Sequence, residues 1–380
     1  MHQLSEIVSA VLTHFCVALL SGYLSFSGFI AQIAQNTFVD TDQTEQSFVH
    51  THPQTASEST PLTEISLSSL PTKYQIGGPI PRILLENAAY QQAAIAGIAI
   101  KAPTYTDVEH VADALVNVYC TYHKGEELHA VTGSGVFIDT QGIILTNAHV
   151  AQFLLLTQTR KDARCVIRQG NPAQEKYVAD LLYISPAWIH QNASLIDAAA
   201  PSGTGERDYA LLYVKKGLSG TLPSSFPALP FDEAFLTKNT VPRSVLAAGY
   251  PALLFEKEGP ETKLIPRVAS TTIAQLFTFN SGKADVLALH GSAVGEQGSS
   301  GGPILSPKGE IIGLIVTKGD EKDGERSLRA ITLAYINQTI LEETGFDLRT
   351  TLRGNLPRRS EIFKQALIPF LSSLLETELR

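Results

Sequence analysis

The sequence predicts an all-β fold made of two antiparallel β-barrels with six strands each. Short runs of β-branched and aromatic residues recur at close intervals from residue 114 onward, which is the pattern of β-strands. Turn and loop residues separate the runs. The runs also fall into two sets of six, and the second set begins after Pro242. Many short strands with turns between them are typical of small closed barrels.

The strands of each predicted barrel can be assigned in chain order. The first barrel comprises residues 114–120, 135–138, 142–146, 164–168, 177–184 and 209–214. The second comprises residues 245–248, 271–277, 286–289, 303–305, 311–317 and 330–335. Side chains from two rigid bodies can converge where the bodies meet. We therefore expect the functional site in the cleft between the barrels.

Composition and charge indicate a globular protein rather than a nucleic-acid binder. The 380 residues are 44% hydrophobic and 17% charged, which is a balance that allows a large core. The formal net charge is −8, and no basic run is interleaved with aromatic residues. We expect no nucleic acid among the partners.

The N-terminal region, residues 1–39, predicts a membrane anchor. Residues 7–39 contain no Asp, Glu, Lys or Arg, and the mostly apolar part, 7–34, exceeds the roughly 20 residues that span a bilayer. Such an anchor would hold the protein at the cell membrane with the barrels outside the cytoplasm. The alternatives are a cleaved signal segment, which would give a secreted or periplasmic protein, and a buried globular helix.

Residues 40–106 connect this region to the first barrel. Residues 40–81 are rich in Thr, Ser, Gln and Pro and predict a tether. Residues 88–100 are rich in Ala and Ile and predict a short helix or a strand that packs on the barrels.

The run Gly298-Ser299-Ser300-Gly301-Gly302-Pro303 has the features of a nucleophile turn. A serine between glycines can lie on a sharp bend that exposes its oxygen and directs backbone N–H groups to one point. The alternative, a flexible linker, is disfavoured by Pro303 and by apolar strands on both sides. Ser300 is therefore the candidate nucleophile for acyl transfer.

A serine nucleophile needs a base and an acid that orients the base. The candidate base is His149, which follows the apolar strand 142–146. The candidate acid is Asp208, which precedes the strand 209–214. Asp180 and Asp197 remain alternatives to Asp208. Asp180 also precedes apolar residues, and Asp197 lies in the loop between Asp180 and Asp208.

Four motifs occur in a characteristic order. They are Gly133-Ser134-Gly135-Val136-Phe137-Ile138, Thr146-Asn147-Ala148-His149-Val150, Asp208-Tyr209-Ala210-Leu211-Leu212 and the serine run, with Ala247-Ala248-Gly249-Tyr250-Pro251 before the last. Together they resemble a trypsin-like serine protease, and within that superfamily the bacterial HtrA/Deg-like branch. The resemblance covers about residues 107–345, with barrels at about 107–220 and 240–345.

The resemblance implies a serine endopeptidase that cleaves protein or peptide substrates through an acyl-enzyme. Ser300 would attack, His149 would move the proton, and Asp208 would orient the imidazole. The oxyanion donors would be the backbone N–H groups of Gly298 and Ser300. Ser299 stands where digestive relatives have an aspartate that pairs with a newly cut N-terminus. Activation of a zymogen by that ion pair is therefore not expected. The alternative function is a catalytically silent protein that binds peptides with the same fold.

The resemblance also implies the residues of a specificity pocket, none of which is charged. They are Val294 near the base, Val316 and Thr317 on one wall, and Ile331, Thr332 and Leu333 on the other. An apolar pocket favours cleavage after small or medium apolar residues. The nearby Lys318 would make acidic residues acceptable if its ammonium folded into the pocket.

Cysteine and histidine usage indicates a disulfide but no metal. Cys120 and Cys165 fall on strands that lie side by side in the family's fold, which implies a disulfide between them. His50 with His52, and His123 with His129, lack further ligands at metal-binding spacing. We expect neither a metal nor another cofactor.

Residues 346–380 predict a basic stretch followed by an amphipathic helix with a kink at Pro369. We expect the helix to dock on the barrels, with a membrane-surface or subunit contact as the alternative. We expect no peptide-binding domain of the kind that often follows HtrA-like proteases. The sequence leaves open whether the protein forms a homo-oligomer.

Overall fold

The computed structural model describes residues 65, 67–69, 82–95, 108–198, 205–252, 263–279, 282–290, 294, 298–318 and 328–379. These residues all lie in one compact unit, Thr63–Arg380. The predicted membrane segment, 7–34, lies outside the described residues. None of the helices in the described ranges is long and apolar enough to cross a bilayer.

Three short elements precede the first barrel. They are strand β1 (Leu67–Ser69), helix α1 (Ala88–Ile95) and helix α2 (Val108–Ala114). The prediction for residues 88–100 left helix and strand open, and the structure has a helix over the first eight of these residues. Strand β1 falls within the predicted tether and pairs in parallel with the second barrel. The sequence pattern did not predict this strand.

The first barrel contains the six predicted strands. They are β2 (Leu115–Lys124), β3 (Glu127–Asp139), β4 (Ile143–Thr146), β5 (Arg164–Gln169), β6 (Gln174–Ile184) and β7 (Ala210–Gly217). The barrel closes in the order β2, β3, β4, β7, β6, β5. All of these pairings are antiparallel. The sequence pattern underestimated mainly β2 and β3, which form a long hairpin.

The second barrel also contains its six predicted strands. They are β8 (Ser244–Gly249), β9 (Arg267–Thr278), β10 (Val286–Leu289), β11 (Pro303–Leu305), β12 (Ile311–Lys318) and β13 (Leu328–Thr332). Their order is β8, β9, β10, β13, β12, β11, and β11 pairs with β8 to close the barrel. Strand β1 lies at the edge of this barrel beside β9.

The last predicted strand, 330–335, is partly wrong. Strand β13 ends at Thr332, and Leu333 begins a helix. The hydroxyl of Thr332 accepts a hydrogen bond from the backbone N–H of Tyr335 at 3.1 Å, which caps the helix. Short apolar runs do not distinguish a strand from a buried helix, so the capping threonine was the signal that mattered here.

Helices connect and cover the barrels. In chain order they are α3 (Ala148–Ala151), α4 (Phe153–Thr159), α5 (Pro186–Asn192), α6 (Leu333–Thr344), α7 (Leu348–Thr351) and α8 (Leu356–Glu378). A 3₁₀ helix, Ala193–Asp197, follows α5 in the segment between β6 and β7. Helix α8 packs against β6, α1, α4 and α5. The prediction that the C-terminal helix docks on the barrels is confirmed, and the helix continues through Pro369.

The segment between the barrels is hydrogen-bonded to both of them. Phe226 N–H donates to Thr140 O at 2.9 Å on the first barrel. Ile311 N–H donates to Pro230 O at 2.8 Å on the second. These bonds attach the connecting segment to both barrels.

The predicted disulfide is confirmed. Cys120 on β2 and Cys165 on β5 are direct partners in the antiparallel ladder, with a Cα–Cα distance of 4.1 Å, and their sulfur atoms are bonded. Directly opposed residues of neighbouring strands bring their Cβ atoms close together. The bond therefore staples two strands of the first barrel whose cysteines are 45 residues apart.

Candidate active site

His149 and Asp208 form a buried pair. His149 lies on α3, immediately after β4, and Asp208 lies just before β7. His149 Nδ1 is 2.8 Å from Asp208 Oδ2, and the backbone N–H of His149 donates to Asp208 Oδ1 at 3.0 Å. Asp208 is fully buried and His149 is 3% exposed. Since a carboxylate only accepts hydrogen bonds, Nδ1 carries the proton and Nε2 is left as an acceptor.

The alternative acids lie elsewhere. Asp180 pairs with Lys215 at 2.7 Å on the outer surface, and Asp197 pairs with Lys124. In the described part of the chain, neither aspartate is hydrogen-bonded to His149. Asp208 is the carboxylate that contacts the imidazole.

The residues before His149 help to hold the pair. The side-chain amide of Asn147 donates to the backbone carbonyl of Asp208 at 2.8 Å. The hydroxyl of Thr146 donates to the carbonyl of Ser134 at 2.7 Å. These contacts explain two residues of the Thr146-Asn147-Ala148-His149 motif, to which the sequence alone assigned no role.

Ser300 lies on a tight turn, residues 298–302, which we call the serine turn. Gly302 N–H donates to Ser299 O at 2.9 Å, and Gly301 N–H donates to Ile315 O at 2.9 Å, so the turn is fixed to β12. Gly298 and Gly301 have φ angles of +89° and +87°, which residues other than glycine rarely adopt. Ser300 itself is partly exposed. The serine turn is an ordered structure rather than a linker.

Ser134 joins the serine turn to the first barrel. Its backbone N–H donates to the carbonyl of Ser300 at 2.8 Å, and its hydroxyl donates to the carbonyl of Gly298 at 2.7 Å. The same hydroxyl accepts from Tyr250 N–H at 2.8 Å. Sequence reasoning used Ser134 only as part of a motif. The glycines on both sides of it, Gly133 and Gly135, were the sequence signal that another segment of the chain packs closely against this strand.

The structure thus brings the serine turn against β3 and β4, and His149 follows directly after β4. Thr146, three residues before His149, and Ser300 both bond to the backbone of Ser134. No hydrogen bond joins the Ser300 hydroxyl to the imidazole within the described residues. Catalytic hydrogen bonds are often long in unliganded enzymes and shorten when substrate binds.

The predicted oxyanion donors are the backbone N–H groups of Gly298 and Ser300. In the ranges that the structure describes, neither Gly298 N–H nor Ser300 N–H donates to a protein acceptor. Buried or half-buried N–H groups are normally paired, so two N–H groups on one turn without an acceptor in the described ranges are available to donate to an anionic oxygen. Ser299, between them, is 1% exposed, and its hydroxyl has no hydrogen-bond partner among the described residues.

Apart from Thr317, the residues of the predicted specificity pocket are buried, and they do not all lie in one apolar cluster. Val316 and Ile331 lie in the large apolar cluster that includes Phe279 and Tyr335. Val294 lies in the separate cluster inside the second barrel. The hydroxyl of Thr332 is occupied, since it donates to Ala284 O at 2.9 Å and also caps α6. The structure does not describe the side chain of Thr317.

A loop of the first barrel covers the Val316 wall. A methyl group added to Gly205 would lie 3.8 Å from Val316 Cγ2, 3.9 Å from Ile331 Cγ2 and 3.5 Å from Phe279 Cζ. These are ordinary van der Waals distances. The segment 205–208 therefore runs from the apolar wall of the second barrel directly to Asp208.

Arg207, which precedes Asp208, belongs to a buried polar network. It is 6% exposed, and its guanidinium contacts Glu342 at 2.8 Å and Glu343 at 2.9 Å. Burial is the largest single influence on the pKa of Arg207 and lowers it, but the charge of Glu343, together with nearby tyrosines and Glu342, raises the pKa above the ordinary value. Burial raises the pKa of Glu343 despite its contact with Arg207. No local pattern links residues so far apart, and sequence reasoning missed this network.

Among the described residues, no group of three or more His, Cys, Asp or Glu side chains could hold a metal ion. The arrangement at the cleft consists of an imidazole, a carboxylate, a hydroxyl and backbone N–H groups that have no acceptor in the described ranges, which is the set that acyl transfer uses.

Comparison with known families gives one match. Residues 133–314 match the family model described as a trypsin-like peptidase domain. This part of the chain is similar to a trypsin-like peptidase. The matched range begins within β3 and ends within β12, and the two closed barrels fit the trypsin-like fold. No curated protein matches the chain.

Proposed function

We propose that the protein is a serine endopeptidase in which Ser300 is the nucleophile, His149 the general base and Asp208 the residue that orients the base. The contact between His149 Nδ1 and Asp208 Oδ2, 2.8 Å long and buried, carries this proposal. It leaves Nε2 free to take a proton. The match of residues 133–314 to a trypsin-like peptidase domain supports the same assignment.

The reaction follows from these roles. Ser300 Oγ attacks the carbonyl carbon of the scissile peptide bond while its proton passes to His149 Nε2. The oxyanion that forms is stabilised by the N–H groups of Gly298 and Ser300. When the C–N bond breaks, the imidazolium gives its proton to the leaving amine, and an acyl-enzyme remains. A water molecule, activated by the same imidazole, then releases the acyl group.

Labelling with a fluorophosphonate probe tests the proposal. We expect covalent labelling of the full chain and its loss in Ser300→Ala. Ser299→Ala is the matched control, because it removes the neighbouring hydroxyl and should leave labelling intact. Labelling that persists in Ser300→Ala would contradict the assignment. An unlabelled parent chain that still binds peptides would instead favour the catalytically silent alternative.

The substrate preference is a further part of the proposal. The apolar side chains of Val316 and Ile331 support cleavage after small or medium apolar residues, because a buried arginine or lysine would find no counter-charge. Sequencing the fragments of an unfolded protein substrate tests this preference. Cuts mainly after Arg or Lys would show that the pocket residues were assigned wrongly.

We also propose that residues 7–34 anchor the protein in the membrane, with the barrels outside the cytoplasm. We further propose that the protease belongs with the HtrA/Deg-like branch, which its motifs resemble. The Cys120–Cys165 disulfide supports the location, because disulfides persist mainly in oxidising compartments. The branch assignment depends on the motifs alone. Full-length chain in the soluble fraction, or an N-terminus near Gly28 in the mature protein, would contradict the anchor.

A further inference from the structure

Both neighbours of Asp208 are tied to one face of helix α6. The backbone N–H of Arg207 donates to the hydroxyl of Tyr335 at 3.2 Å, and the hydroxyl of Tyr209 is 2.9 Å from that of Thr339. The guanidinium of Arg207 contacts Glu342 and Glu343 on the same helix. The four helix residues are spaced at i, i+4, i+7 and i+8, so they share one face.

Arg207 has a backbone conformation that needs external support. Its φ angle is +56°, in the left-handed region that is uncommon for residues with a side chain. Such conformations persist when the surrounding structure determines them, and they cluster at functional sites. Here the support is the helix, which holds both the backbone and the side chain of the residue that precedes Asp208.

Glu343 is the buried centre of this support. It is 1% exposed and accepts hydrogen bonds from Arg207, from the hydroxyl of Ser185 at 2.8 Å and from the hydroxyl of Tyr183. Buried ion pairs often contribute little net stability over apolar replacements. The three hydrogen bonds hold the Glu343 carboxylate in one place, and Glu343 in turn holds the guanidinium of Arg207.

We infer that Arg207 and Glu343 are positioning residues, which place the Asp208 carboxylate so that it meets both the backbone N–H and Nδ1 of His149. The inference rests on the proposed function, since it assigns these residues to the same proton-transfer site. Helix α6 follows directly after β13 of the second barrel. It thereby sets the geometry of an acid–base pair that belongs to the first barrel.

Glu343→Gln tests the inference, because it keeps the shape of the side chain and removes its charge. We expect a fall in kcat of about 10- to 100-fold, with KM little changed, as for small displacements of catalytic groups. The imidazolium would lose part of its stabilisation by Asp208, so the apparent pKa of the acid limb should move to lower pH. Glu175→Gln is the matched control. It removes a carboxylate from the surface pair with Arg164, 2.6 Å long, and should change neither value.

A purely structural role predicts a different result. If the role is purely structural, Glu343→Gln reduces thermal stability or the active fraction, and the remaining activity keeps the pH profile of the parent. That outcome would overturn the inference. If Glu343→Gln does not fold, Arg207→Lys provides the test. Lysine keeps the charge but cannot bridge Glu342 and Glu343 together, so we expect the same direction with a smaller effect.

Direct titration of His149 by NMR separates this inference from the proposed function. The pKa of the imidazole is measured in the parent chain and in Glu343→Gln, whether or not the parent reacts with a fluorophosphonate. A lower imidazole pKa in the variant supports the positioning role even if the parent proves unreactive. An unchanged pKa in a folded variant overturns the positioning role even if the parent is an active protease.

Discussion

The backbone N–H of Ser134 donates a hydrogen bond to the backbone carbonyl of Ser300 at 2.8 Å, and this bond joins the two barrels at the candidate nucleophile. The next residue, Gly301, lies against the carbonyl of Ser134 and the hydroxyl of Thr146. The position of Ser300 relative to His149 therefore depends on how closely the serine turn approaches the first barrel.

Gly301→Ala should abolish labelling of Ser300 and destabilise the protein. The added Cβ would lie 2.1 Å from Ser134 O and 2.5 Å from Thr146 Oγ1, so the turn must move. The positive φ costs about 1–2 kcal/mol, and the overpacking adds about 1–3 kcal/mol. Fluorophosphonate labelling and denaturant unfolding measure the two effects.

Gly220→Ala is the matched control for that substitution. Gly220 has a φ angle of +86°, but a Cβ there would meet no atom within 4 Å among the described residues. Alanine at this position therefore has only the conformational cost of a positive φ, and fluorophosphonate labelling of Ser300 should remain. Equal effects of the two substitutions would show that contact with Ser134 does not matter.

Asp208→Asn should lower turnover by about 10⁴-fold while the fold stays intact. The amide nitrogen would favour the wrong tautomer of His149, so Nε2 would carry the proton and could not act as a base. Steady-state kinetics measures the loss, and circular dichroism checks the fold. Asp180→Asn is the control, since it removes a carboxylate from the exposed pair with Lys215. A collapse in Asp180→Asn with normal turnover in Asp208→Asn would reverse the assignment.

Removing the Cys120–Cys165 disulfide should lower the free energy of unfolding by about 4 kcal/mol. This value follows from the chain-entropy model for cysteines 45 residues apart. Denaturant unfolding of the double variant Cys120→Ala/Cys165→Ala measures it, and Cys16→Ser serves as a control. Thiol titration of the denatured, unreduced parent should find only Cys16. Three free thiols would refute the disulfide.

Tyr250→Phe should lower the free energy of unfolding at neutral pH by about 1–3 kcal/mol. The hydroxyl accepts from Gly170 N–H at 3.2 Å and donates to Gly170 O at 3.0 Å, and both backbone groups would lose a partner. The control is Tyr213→Phe, because the Tyr213 hydroxyl makes no hydrogen bond within the described residues. Equal losses in the two variants would contradict the role of this contact.

The same tyrosine predicts a loss of stability at high pH. Burial raises the pKa of Tyr250 to about 12, above the ordinary value of 10. The unfolded chain therefore releases this proton first, so the stabilisation is complete below pH 10 and falls as the pH rises towards 12. Across this pH range, the free energy of unfolding should fall more steeply for the parent than for Tyr250→Phe. Parallel curves would show that Tyr250 titrates normally.

Local patterns predicted most of the fold. All twelve barrel strands lie where β-branched runs and turns indicated, because strand periodicity and turn chemistry act over a few residues. The errors fell where packing decides between similar local options. Residues 333–335 belong to a helix that Thr332 caps, and residues 67–69 form a strand beside Leu276–Thr278 of β9, beyond the part of β9 that pairs with β8.

The candidate site divides in the same way. Sequence motifs named His149, Asp208 and Ser300, but three carboxylates remained as candidates for the acid. The structure puts Asp208 in contact with the imidazole, and it puts Asp180 and Asp197 on surface lysines. The Arg207–Glu343 contact had no sequence signal, because its partners are 136 residues apart.

By itself, the sequence determined the strands, the glycine-lined serine turn and the residue types available for chemistry, since each depends on interactions between near neighbours in the chain. Tertiary structure alone decided which aspartate meets His149, how Ser134 holds the turn, and how helix α6 supports Asp208. These contacts join residues from different barrels or distant elements, and their distances are fixed only when closure of both barrels brings the elements together.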